Sequence, residues 1–219
     1  MHITFLFYDG MTTLDIIGPH EVLARLPGAI VQRAAKRAGE VQDGLGLKLI
    51  ADYSLSEIKR TDILVVPGGG RATSLSHEPE ILQWIKTIHQ HTQWTTSVCT
   101  GSLILGAAGV LQNKHATTHW AVMDRLNHWG AVPVSQRIVE DGKLMTAAGV
   151  SAGIDMALLL ASKVAGQAAA ETLQLAIEYD PEPPFNAGSP DKASPDIKIP
   201  LRERLLGRFE RIESGKQSD

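Results

Sequence analysis

Ile3 to Phe7 is an apolar run closed by Tyr8-Asp9-Gly10, and Asp62 to Val66 is another, closed by Pro67-Gly68-Gly69-Gly70. Runs of this length ended by turn residues predict strands buried on both faces. Trp94 to Val98 predicts a third. Helical stretches follow the last two, over 78–91 and 101–111, and strands alternating with helices predict an α/β fold with a mainly parallel sheet between two helical layers. Ligands in such sheets bind beyond the strand C-termini. The 101–111 stretch is apolar nearly all round, which predicts a buried helix. Ile154, Ala157, Leu158, Ala161 and Val164 keep helical spacing, with Ser151 as the expected N-cap. Between these helices, 131–139 and 143–146 flank Glu140-Asp141-Gly142 and predict a hairpin. Six of the eleven prolines fall between Pro181 and Pro200. The chain is therefore expected to divide into a domain over 1–180 and a proline-rich tail over 181–219. That tail carries Leu201, Leu205, Leu206, Phe209 and Ile212 on one helical stripe, expected to dock on the body or on a second subunit.

Composition narrows the class. The chain has 219 residues, 43% hydrophobic and 21% charged, the balance of an ordinary globular domain. No apolar run reaches the roughly 18 residues of a membrane span, and the N-terminus reads as a strand rather than a signal peptide, so a cytoplasmic protein is expected. A formal charge of −3 without a basic block argues against a nucleic-acid partner. A single cysteine, Cys99, excludes an internal disulfide and any multi-thiolate zinc site. The eight histidines lack metal-ligand spacing, so no metal is expected.

Cys99 sits where a strand turns into the buried helix, the geometry of a nucleophile elbow. Helix-start N–H groups lower a thiol pKa, which predicts a thiolate, and Gly101 is expected to leave room for a substrate. The competing reading is an inert buried thiol, since free cysteine is among the most buried residue types. Pro67 to Gly70 is either a nest of N–H groups for an anion or a turn that needs positive φ. Asp15 falls in the first turn of a helix that Pro19 should kink. It becomes an acid only if it converges on the sulfur, where a neighbouring thiolate would keep it protonated. His119, in Thr117-Thr118-His119-Trp120, is the histidine with a claim on the site, and Cys with His makes a dyad conceivable.

Five segments together resemble the ThiJ/PfpI superfamily: 13–23 (TLDIIGPHEVL), 66–70 (VPGGG), 97–111 (SVCTGSLILGAAGVL), 116–120 (ATTHW) and 148–158 (AGVSAGIDMAL). With the tail segment 178–190 (EYDPEPPFNAGSP), the resemblance points to its isocyanide hydratase branch. It implies a flavodoxin-like three-layer sandwich, a homodimer, and Cys99 as nucleophile beside Asp15, where many relatives carry Glu. It gives Thr100 a catalytic place and gives the Gly69 and Thr100 N–H groups an anion-stabilising role, with Gly70 in the same loop. It puts the Val150 carbonyl near the sulfur and His119 near the cysteine without making it essential. Arg71, Ala147 and Ala148 depart from the more glycine-rich branch pattern, with Arg71 expected to narrow the mouth. The implied reaction is cofactor-independent hydration of an isocyanide, with water, to an N-substituted formamide through a cysteine thioimidate. Alternatives are a cysteine redox sensor and a glyoxalase or deglycase. A regulator's ligand domain is disfavoured, because no helix-turn-helix pattern accompanies it.

Overall fold

The computed structural model describes residues 1–213. The chain opens with β1 (His2–Leu6), α1 (Leu14–Leu23) and β2 (Ile30–Ala35), followed by the antiparallel pair β3 (Gly39–Gln42) and β4 (Lys48–Ala51) and a short β5 (Tyr53–Ser54). Next come β6 (Ile63–Val66), α2 (Ala72–Leu75), α3 (Pro79–His89), β7 (Trp94–Val98) and α4 (Gly101–Ala107). Two short strands, β8 (His115–Ala116) and β9 (Val132–Pro133), flank a 3-10 stretch over Trp120–Trp129. The hairpin β10 (Ile138–Asp141) and β11 (Leu144–Ala147) precedes α5 (Ala152–Ala165), α6 (Gln167–Ala176) and α7 (Pro195–Glu213).

Seven strands form one sheet in the order β10-β11-β7-β6-β1-β2-β5. Every pairing is parallel except β10 with β11. This is the flavodoxin-like α/β sandwich, with α1 packed on α5 in one helical layer and α3 beside α4 in the other. Ile63, Leu64, Val65 and Val66 are wholly buried, as are Ile3, Phe5 and Leu6, because central parallel strands are covered on both faces. α1 continues through Pro19.

Three local expectations fail in whole or in part. α4 ends at Ala107 rather than 111, because Gly109 takes a left-handed φ of 76° and closes the helix. Ser151 stands at the N-cap of α5 as expected but makes no side-chain capping bond: its backbone is already helical and its hydroxyl instead accepts from Arg137 Nη2 at 3.5 Å. The 131–139 run is not one strand, since Val132-Pro133 pairs with β8 and only Ile138 onward joins the sheet. Proline lacks the N–H a central strand needs. No helix among the described residues is long and apolar enough to cross a membrane.

Candidate active site

Three strand ends meet at Cys99. The residue follows β7, is 6% exposed, and takes φ 58°, a left-handed conformation that costs a non-glycine residue roughly 1–2 kcal/mol. Hydrogen bonds hold it there. Its N–H points at the carbonyls of Ala147 (3.1 Å), the last residue of β11, and Ala148 (2.7 Å), the next. Its own carbonyl accepts from the Ser102 hydroxyl at 3.3 Å and the Thr118 hydroxyl at 3.1 Å. The Thr-Thr-His-Trp segment thus contributes a positioning residue, Thr118, that sequence reasoning missed.

Asp15, wholly buried in the first turn of α1, reaches the same place. Its Oδ2 accepts the Gly68 N–H at 2.8 Å, its carboxyl lies close enough to the Cys99 side chain for each group to shift the other's acidity, and its Oδ1 is buried without a hydrogen-bond partner. Burial raises this acid from 3.8 to about 7, against the Gly68 and Cys99 hydrogen bonds that lower it. Burial also pushes the Cys99 thiol up, and the Asp15 charge pushes it further. The N–H groups of Thr100 and Val150 and the Thr100 hydroxyl pull it back only in part. The expected helix-lowered thiolate is therefore corrected. α4 has seven residues and a correspondingly small field at its start, whereas burial acts on the whole thiol. Burial raises both acids of the pair, and the Asp15 charge raises the thiol further. The Val150 N–H lies near enough to the sulfur to lower the thiol's pKa.

The glycine loop is largely engaged. The Gly68 N–H serves Asp15, and the Gly69 N–H donates to Thr100 Oγ1 at 2.9 Å, while that hydroxyl donates to the Gly69 carbonyl at 3.2 Å. Gly68 has to lack a side chain, because a Cβ there would lie 2.4 Å from the Thr100 nitrogen. Gly101 leaves no room for a substrate; its bare Cα lets α4 press on the Val66 carbonyl, 2.2 Å from where a Cβ would stand. Tyr8, not foreseen from sequence, donates to the Pro67 carbonyl at 3.0 Å, and its pKa is raised by burial and by the neighbouring Asp15 and Cys99 charges.

Val150 forms a wall shared by two clefts. One, of about 600 Å3, is lined by Met11, Thr12, Leu14, Gly70 and Arg208 as well as Val150. The other, of about 390 Å3, includes His119, Trp120, Met123, Ala148 and Pro190. His119 is held neutral by burial, and its Nδ1 accepts the Ala121 N–H at 3.3 Å, which leaves the proton on Nε2. No hydrogen bond joins it to Cys99 or Asp15 among the described residues, so no dyad forms. Arg71 lies along Gly10, in a groove with Tyr8, Lys36 and Glu78, and not at the mouth expected of it. The cation at the larger cleft is Arg208 of α7, which periodicity alone had marked only as part of a helix. No group of histidine, cysteine and acidic side chains suited to a metal occurs among the described residues.

The chain is similar to known proteins. An isonitrile hydratase of Pseudomonas putida is 42% identical over 93% of this chain and 90% of its own length. The crystal structure of a ThiJ/PfpI family protein from Pseudomonas syringae superposes with a TM-score of 0.93 at 35% identity, covering 97% of this chain and 89% of that one. A glutathione-independent glyoxalase of Caenorhabditis elegans is 24% identical over 70% of this chain and 82% of its own length. The DJ-1/PfpI family pattern matches residues 1–163, which contain the elbow, the buried acid and the glycine loop, and the chain belongs to the DJ-1/PfpI family.

Proposed function

We propose that this protein hydrates organic isocyanides to N-substituted formamides without a cofactor, with Cys99 as nucleophile and Asp15 as proton carrier. The observation that carries the reading is a buried carboxyl at about 7, with one oxygen unpartnered, set beside a thiol held in a left-handed turn. Similarity to an isonitrile hydratase over nearly the whole chain supports the substrate class.

At rest the thiol is protonated and Asp15 is the more acidic partner. As the electrophilic terminal carbon of R–NC closes on the sulfur, the S–H proton passes to Asp15 and the C–S bond forms. Asp15 returns the proton to that carbon, giving the thioimidate Cys99–S–CH=N–R. Water then adds to the CH carbon, one of its protons goes to nitrogen, the C–S bond breaks, and the other proton returns to sulfur. The sum is one water per isocyanide and no change of oxidation state in the protein. Thr100 and Val150 donors steady the sulfur whenever it carries charge.

Purified protein incubated with 4-nitrophenyl isocyanide is expected to yield the formamide by absorbance and mass spectrometry. Cys99→Ala is expected to abolish turnover; retained activity would refute the covalent route. Asp15→Asn is expected to slow it by roughly 100- to 10,000-fold, the usual worth of a general acid–base. If several isocyanides give no product while methylglyoxal is consumed, the glyoxalase reading replaces this one.

A further inference from the structure

The larger cleft holds a cation that the proposed chemistry does not use. Arg208 enters from near the C-terminal end of α7. Two glycines face its guanidinium: a Cβ on Gly44 would lie 3.5 Å from Nη2, and one on Gly70 would lie 3.4 Å from Nε. The helix is anchored at the next residue, since Phe209 is buried against the body. Arg208 makes no ion pair or hydrogen bond among the described residues. The acid of the cleft, Asp43, is engaged elsewhere. Its Oδ2 accepts from the Thr13 hydroxyl at 2.6 Å, and its Oδ1 accepts the Leu45 and Leu47 N–H groups at 2.8 Å each. Much of the remaining lining is apolar, and it runs to Val150, whose N–H is close enough to Cys99 to lower the thiol's pKa. A guanidinium set in a mainly apolar cleft binds an organic anion best through a planar, two-pronged contact with a carboxylate.

We propose that Arg208 is a specificity-determining residue that binds the carboxylate of an acid-bearing organic isocyanide and directs the isocyano group along the cleft toward Cys99. This rests on the hydratase reading. The test compares 4-isocyanobenzoate with its methyl ester, which keeps the ring and removes the charge. Wild-type protein is expected to favour the acid in kcat/KM, and Arg208→Gln to lower the acid-to-ester ratio roughly 10- to 100-fold, the worth of one charged hydrogen-bonded contact. The loss is expected mainly in KM, as for binding shared by ground and transition states. Arg208→Lys is expected to recover part of the ratio. An unchanged ratio in Arg208→Gln, with both compounds turned over, overturns the role of Arg208 and leaves the hydratase reading standing. No turnover of either compound by the wild type overturns both.

Discussion

Asp15 makes folding itself depend on pH. Between its ordinary value of 3.8 and its folded value of about 7, the unfolded chain releases this proton while the folded chain keeps it. The folded state binds more protons in that window, so its stability falls as pH rises from about 4 to 7, by on the order of 4 kcal/mol across the range. Asp15→Asn keeps an acceptor for the Gly68 N–H and removes the titration. Urea denaturation at several pH values is expected to show this variant losing less stability across the window than the wild type; parallel slopes would rule out the raised acid. Thr100 is a second residue with a separable effect. Its hydroxyl both receives the Gly69 N–H and donates to the Gly69 carbonyl, so Thr100→Val is expected to cost about 1–3 kcal/mol by stranding a buried donor. The positions of Cys99 and Asp15 were legible because strand ends and helix starts are visible in a sequence, while Thr100 entered only through the family resemblance. The direction of the thiol shift was not legible, because it is set by burial among residues distant in the chain. Tyr8 was hidden for the same reason: the turn that closes β1 gives no sign of a hydrogen bond to Pro67, 59 residues away.

At the scale of elements, the close seating of α4 on β6 fixes where the sulfur stands. Gly101→Ala would drive a methyl into the Val66 carbonyl. It is expected to cost about 3 kcal/mol or more in chemical denaturation, through overpacking against unyielding backbone, and to depress isocyanide turnover by shifting the elbow. The central strands β1 and β6 were legible because strands buried on both faces read as largely apolar runs, whereas β7, Trp-Thr-Thr-Ser-Val, is polar at its centre and was legible from the turn and helical stretch that follow it. β2 to β5 were not. β2 runs from exposed Ile30 to buried Ala34 and Ala35 without alternating, β5 is two residues long, and Arg33 of β2 pairs with Asp52 at 2.7 Å on the outside. Such edge segments take their structure from the neighbouring strand, and local pattern carries little of it.

For the molecule as a whole, α7 is an appendage joined by a few anchors. Phe209 is buried under the Arg125 guanidinium, 5.7 Å from its ring centre, and Arg202 lies 3.5 Å from Asp124. Phe209→Ala is expected to speed amide exchange through α7 while leaving the β1, β6 and β7 amides protected, because local opening does not require the sheet to unfold. The helix was legible from its stripe of leucines, but which groove it crosses was not, since a stripe names one partner face and not the other. The loop after β6 bears on what this protein can be asked to catalyse. Acyl transfer places its negative charge on an oxygen and needs free amides to receive it. With the Gly68 and Gly69 amides already taken, esters and peptides meet a poor host here, and 4-nitrophenyl acetate is expected to be cleaved far more slowly than an aryl isocyanide is hydrated. A site arranged in this way favours reagents whose charge falls on carbon and is quenched at once by a proton.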